Sequence, residues 1–119
     1  MQIKVHTLGD RKFLELVYFS EDITEEELSA HRELVSEALE KNRLNLVLVD
    51  TTALPQLPQV VTILEHNKAV STREELQQAK FAVLVQNIGQ REKFLEDTGV
   101  NRGVRIKCFT TRENALNWL

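Results

Sequence analysis

Apolar residues in this chain recur with two different spacings, and the alternation between them outlines the elements. Residues 3–8 and 12–19 read as extended strands, and Gly9-Asp10 between them is a turn signal, so the two form an antiparallel hairpin. A helix starts after Thr24, which stands three residues before Glu27 in capping-box spacing, with Ile23 and Leu28 placed as a hydrophobic staple. Glu25, Glu26 and Glu27 fall in its first turn, where the helix dipole favours negative charge. Leu28, His31, Val35, Ala38 and Leu39 then share one face as far as Lys41 or Asn42. Residues 44–49 are a continuous apolar run, the pattern of a strand covered on both sides. Pro55 and Pro58 punctuate the next loop, and Pro58 suits the first turn of a helix in which Val60, Ile63, Leu64 and Asn67 share a face. A fresh cap at Ser71 or Thr72, with Glu74 or Glu75 three residues on, divides this stretch into two helices. Residues 80–85 and 104–109 are further strands, and 88–98 is a helix ended by Gly99. Thr110, with Glu113 at the matching offset, caps a last helix that Ala115, Leu116, Trp118 and Leu119 pack down.

The order is therefore β-β-α-β-α-β-α-β-α. The three strands that follow helical crossovers run parallel to the second, while the first is an antiparallel addition. The expected fold is an α/β single-domain sandwich over 1–119, with a mixed, mostly parallel five-stranded sheet and helices on both faces. Composition supports a packed core: 42% of residues are apolar and 28% charged. A net charge of −3 with interspersed signs argues against nucleic-acid binding through phosphate neutralisation. The longest apolar runs, 46–49 and 81–85, are too short to span a bilayer, and the first residues lack the charged head and apolar body of a signal peptide. One cysteine, Cys108, excludes an internal disulfide and a thiolate metal cage. The expectation is a soluble, cytoplasmic domain.

Ligands in open parallel sheets sit beyond the carboxyl ends of the strands. Four polar corners meet that rule: Ser20-Glu21-Asp22, Asp50-Thr51-Thr52, Gln86-Asn87 and Thr110-Thr111. The same residue types also satisfy unpaired N–H groups at helix starts, and capping or turn formation is the first expectation for Asp50. His6, His31 and His66 are scattered and lack metal-ligand spacing. Cys108, mid-strand, packs as a small hydrophobe. Lys68, Arg73, Arg91, Arg102 and Arg105 could surround an anion, or simply solvate a surface. The serines stand in no nucleophile elbow, and the four glycines form no phosphate loop. No metal or cofactor is expected, and no catalytic constellation can be assembled.

The run LVLVDTTALP resembles the phosphorylation corner of a response-regulator receiver: an apolar strand ends on Asp50, and Leu54-Pro55 follows. That resemblance implies phosphoryl transfer to Asp50, with Mg²⁺ held by nearby acids such as Glu21 and Asp22. The order departs from it. The chain opens with a hairpin, Asp50 follows a single helical crossover, and Thr110-Thr111 stands where a receiver has Lys-Pro.

The full β-β-α-β-α-β-α-β-α order instead resembles the STAS-like superfamily of sulfate-transporter and anti-sigma-factor-antagonist domains, in particular its divergent STAS/SEC14-like group. The ending Cys108-Phe109-Thr110 through Ala115-Leu116-Asn117-Trp118-Leu119 carries the likeness furthest. Regulatory STAS domains place an Asp-Ser-(Ser/Thr)-Gly turn where this chain has Gln56-Leu57-Pro58-Gln59, so their phosphorylation switch does not carry over. The resemblance implies a non-catalytic interaction or regulatory module that presents Asp50, Thr51, Thr52, Leu54, Pro55, Gln56, Leu57 and Pro58 to a protein partner or small ligand. The two prolines stiffen that loop, and Leu54 and Leu57 serve as its apolar contacts if they are exposed. The SEC14-like kinship implies the alternative, a pocket between helices and sheet that holds a lipid or another small molecule. An enzyme using Asp50, Glu21 or Asp22 is the least favoured reading. A homodimer is open to the first strand, which lies near a sheet edge.

Overall fold

The computed structural model describes residues 1–19 and 23–119. Strands β1 (Gln2–Leu8) and β2 (Arg11–Val17) form the expected antiparallel hairpin, with register from Gln2↔Val17 to Leu8↔Arg11. Gly9 turns the chain at φ +64°, a left-handed value that suits glycine. Strands β3 (Leu46–Asp50), β4 (Lys80–Leu84) and β5 (Arg105–Phe109) join in parallel, and the sheet order is β1-β2-β3-β4-β5. The helices are α1 (Glu25–Asn42), α2 (Val60–Ser71), α3 (Glu74–Gln77), α4 (Gln90–Asn101) and α5 (Arg112–Trp118).

Each parallel strand is laid on the same side of the one before it. Right-handed crossovers that advance in one direction must all pass over one face. The core follows this rule. Val47, Phe81, Val83 and Ile106 point to the face where Val35, Leu39, Ile63, Leu76 and Leu95 of α1–α4 pack. Their strand neighbours Leu46, Leu48, Ala82 and Leu84 point the other way, onto Ala115 and Leu119 at the C-terminus. Helices cover both faces as expected, but among the described residues four lie on one side and α5 alone on the other. Because the strand order never reverses among the parallel strands, there is no switch-point crevice, and any enclosed space must lie between helices and sheet.

Polar clamps fix the short α5. Glu15 is 6% exposed, His6 Nε2 lies 2.8 Å from its Oε1, and Arg112 Nη1 donates to its Oε2. Burial pushes the Glu15 carboxyl up, but hydrogen bonds from Arg112 and His6 outweigh that and hold it below the usual carboxylate range. Arg11 donates to Leu119 O at 3.0 Å, and the Lys80 ammonium sits 4.4 Å from the Trp118 ring centre. Arg112→Leu leaves Glu15 buried with His6 alone. The expected cost is about 1–3 kcal/mol at pH 7, limited because Arg112 is half exposed. Glu15 contributes its stability above the unfolded carboxylate pKa and loses it as pH falls through its lowered folded value. The difference between variant and wild type in urea unfolding should therefore shrink at acidic pH. A constant difference from pH 7 to pH 3 would contradict the clamp.

Several local expectations need correction. Thr24 caps α1 as expected, accepting from Glu27 N at 3.1 Å. Pro58 lies outside α2, whose N-cap is Gln59, so it stiffens the approach rather than the first turn. Ser71 and Thr72 cap nothing downstream. Their hydroxyls donate back to the carbonyls of Lys68 and Ala69, the local bond that competes with N-capping. Thr111, not Thr110, caps α5 and accepts from Asn114 N. Helix α4 begins two residues later than expected, where Glu92 reaches back to Gly89 N at 2.8 Å. It also runs through Gly99 to Asn101. Gly99 ends nothing: a Cβ there would stand 2.5 Å from Ile106 Cγ2, so this glycine lets α4 approach β5. The chain turns instead at Gly103, at φ +80°.

Candidate functional site

The Asp50 corner is an Asx turn. Asp50 Oδ1 accepts from Thr52 N at 2.9 Å and from Thr52 Oγ1 at 2.6 Å, which is the turn-forming role expected of it. Thr51 is buried and donates its hydroxyl to Leu84 O at 2.8 Å, tying β3 to β4. Of the suspected acidic partners, Glu21 and Asp22, with Ser20, fall outside the described residues. Among the described residues no three His, Cys, Asp or Glu side chains stand together as a metal site.

The loop after Asp50 does not present its leucines. Leu54 is 3% and Leu57 6% exposed, and both point inward. This corrects the expectation that they are partner contacts. An apolar pair between prolines gains more from burial against the helical face than from hydration. Two long side chains hold the loop in that position. Gln86 Nε2 donates to Thr52 O and Leu54 O, and Arg91 Nη1 donates to Leu57 O at 2.6 Å. Thr52, Ala53, Pro55 and Gln56 remain exposed, and Pro58 is half-buried. The basic residues suspected of surrounding an anion are dispersed. Lys68 pairs with Glu65, Arg73 with Glu33 and Glu75, Arg91 with the loop, and Arg105 with Gln78 O.

The inward-facing leucines form part of the wall of a cavity of about 100 Å³ between α1, α2 and the sheet. Leu16, Leu28, Val35, Ile63 and Phe81 make most of the rest apolar. Tyr18, His31, Arg32 and His66 also line it, supplied by the end of β2, by α1 and by α2. The Tyr18 hydroxyl lies 3.2 Å from His31 Nδ1, and the two rings are 5.2 Å apart. Arg32 Nη1 lies 3.0 Å from His66 Nδ1, while Nη2 donates to Glu25 Oε1 at 3.2 Å. A guanidinium has only donors, so His66 Nδ1 must be the acceptor and its proton must sit on Nε2.

Burial shifts each of Tyr18, His31 and His66 toward its neutral form. Burial, reinforced by the Arg32 charge, pulls the His66 imidazole down to about 4. Burial first, then the N-terminal ammonium, lowers His31 against the opposing pull of Glu27. Burial pushes the Tyr18 phenol up to about 12. At neutral pH, then, Tyr18, His31 and His66 are uncharged and Arg32 is the one charged group among these four. Its side chain is 11% exposed, against 49% for its partner Glu25.

Asn67 also lines the cavity at 1% exposure. Its Nδ2 donates to Leu95 O at 3.1 Å and to Thr98 Oγ1 at 2.7 Å, joining α2 to α4. Its Oδ1 is buried without a donor among the described residues. A second hollow, of about 110 Å³, lies between the Thr51–Leu57 loop and the Gln86-Asn87 corner. Its walls are mixed, and the Gln86 amide is already spent on the loop backbone.

Sequence reasoning located the loop but not the cavity's polar end. His31 and His66 read as scattered, and Tyr18 and Arg32 carried no local signal. They stand 48 residues apart at the extremes, Tyr18 to His66, and meet only because two successive crossovers pass over the same face. Cys108, pushed up to about 12 chiefly by burial, is the small buried hydrophobe expected of it.

The chain is similar in fold to an uncharacterised protein of the DUF3478 family from Shewanella loihica PV-4, whose solved structure has a SpoIIAA-like fold. The TM-score is 0.69 at 20% sequence identity, over 99% of this chain and 92% of that one. The fold is thus SpoIIAA-like, or STAS-like, as the element order implied. No family model matches the sequence. No curated protein matches it either.

Proposed function

We propose that this STAS-like domain is a non-catalytic binding module whose ligand is a small, mainly apolar molecule held in the α1–α2 cavity. The observation that carries this reading is that cavity: it has apolar walls, and its polar groups converge at Tyr18, His31, Arg32 and His66. This is the arrangement of small-molecule sites in general, a mostly hydrophobic lining with a few placed polar groups. Burial of Leu54 and Leu57 shifts the role of the Asp50 loop. It closes the cavity rather than offering a patch of its own, and Gln86 and Arg91 fix it in place. The sequence-derived alternative of a pocket binder is therefore preferred to direct docking through the loop leucines.

Size limits the ligand. A free volume of about 100 Å³ is below the roughly 300 Å³ where drug-sized pockets begin, and closer to the roughly 150 Å³ that accommodates benzene. The space takes part of one ring or a few methylenes, the rest of the ligand lying at the cavity's open side, whereas a two-chain phospholipid is excluded.

The test compares the wild type with Ile63→Phe, which adds bulk at a lining position that is 3% exposed. Calorimetric titration with 1-hexanol and with toluene is expected to show saturable binding to the wild type and at least about a tenfold loss in the variant. Equal binding by both proteins, or binding by neither, refutes the cavity reading.

A further inference from the structure

We infer that the ligand of the α1–α2 cavity is a small monocarboxylic acid, a short-chain or single-ring compound whose carboxylate is held by Arg32. The inference rests on the cavity reading above and adds the ligand's head group to it. Three observations support it.

The first is the balance of donors. Arg32 brings five N–H groups, of which one meets His66 and one meets Glu25 among the described residues. His66 accepts from Arg32 at Nδ1, which leaves the other Arg32 N–H groups for a ligand and turns the His66 Nε2–H to the far side of the ring. The Tyr18 hydroxyl and His31 add a further donor–acceptor pair. This end of the cavity is rich in hydrogen donors, so it suits a ligand group that is an acceptor.

The second is charge. Arg32 is mostly buried while its carboxylate partner Glu25 is half exposed and 3.2 Å away. An exposed partner is screened by water, and a mostly buried guanidinium retains attraction for a second anion. A carboxylate matches its planar fork better than a spherical anion does.

The third is size and shape. The apolar walls of Leu16, Val35, Leu57 and Ile63 leave about 100 Å³, room for a few methylenes or part of one ring beside the polar end. A short amphiphile with one charged head satisfies both parts of the site. An inorganic anion would leave the apolar walls unfilled, and a hydrocarbon would leave the donors unmatched.

The experiment titrates hexanoate and benzoate, with 1-hexanol and benzyl alcohol as neutral counterparts of similar length, into wild type and Arg32→Gln at pH 7. The wild type is expected to bind each acid about tenfold or more tightly than its alcohol, the gain typical of a charge-assisted hydrogen bond. Raised salt should narrow that preference, and Arg32→Gln should abolish it by weakening the acids more than the alcohols. Equal affinity of acid and alcohol for the wild type overturns the carboxylate assignment and leaves the cavity reading intact. Binding of neither overturns both. An acid preference that persists in Arg32→Gln overturns the role of Arg32. Should that variant not fold, the acid–alcohol comparison and its salt dependence in the wild type decide the matter alone.

Discussion

Gly99→Leu is expected to cost about 3 kcal/mol of stability, at the upper end of what overpacking does. Gly99 lies inside α4 and is fully covered, and a single added Cβ would already approach Ile106 Cγ2 to 2.5 Å. That distance is well inside van der Waals contact, so helix or strand must move. Asn67 sits against the same point, with Oδ1 3.7 Å from the added atom, so the displacement also strains the bridge from α2 to Leu95 O. Gly99→Ala is the milder case. It gains about 1 kcal/mol of helix propensity and loses about 1–3 kcal/mol to the clash. The double variant Gly99→Ala with Ile106→Leu, which removes the offending Cγ2 methyl of the β-branch, should recover part of that loss. Urea unfolding of the wild type, Gly99→Ala, Ile106→Leu and the double variant gives the coupling. Additive effects would mean that α4 does not meet β5 at this contact.

The second large effect is acid destabilisation through His66. Its imidazole sits near 4 in the folded chain against 6.5 when free, so the unfolded chain takes up its proton first as pH falls. Stability from this residue is complete above the unfolded value and declines as pH drops from 6.5 toward 4. Integrated over that window the loss is about 2–3 kcal/mol, the lower figure allowing for the part of the ring that stays exposed. His31 is lowered too and acts in the same direction. His66→Gln keeps an acceptor for Arg32 but cannot titrate. Its unfolding free energy should match the wild type near pH 7.5 and fall less steeply between pH 6.5 and 4. Parallel pH profiles for the two proteins would show that His66 is not enclosed beside Arg32 as described.

The architecture was largely legible in the sequence because it depends on local periodicity. The hairpin, the Thr24 cap and the apolar runs of β3 and β4 are decided by residues a few positions apart, and they emerge where expected. Errors arose where a residue type serves two purposes. Gly99 looked like a helix terminator, but a glycine also permits close approach, and nothing local reveals that Ile106 stands opposite. Thr110 and Thr111 are chemically equivalent candidates for one cap, and register alone chose the second. Leu54 and Leu57 could face either way, because the direction of a loop side chain depends on what lies beneath it. The polar end of the cavity was the least legible part. It joins Tyr18, His31, Arg32 and His66 through tertiary geometry, and no spacing rule connects a strand end with the middle of one helix and the later turns of another.

The α1–α2 cavity is the part of this account on which the functional reading depends, and amide chemical-shift mapping of the ¹⁵N-labelled protein during titration with neutral 1-hexanol tests it most directly. Shifts should concentrate at Tyr18, His31, Arg32, Ile63, His66 and Asn67 and saturate together with a single affinity. Shifts confined to the exposed loop residues Thr52, Ala53, Pro55-adjacent Gln56 and Gln86, or no shifts at all, would contradict it.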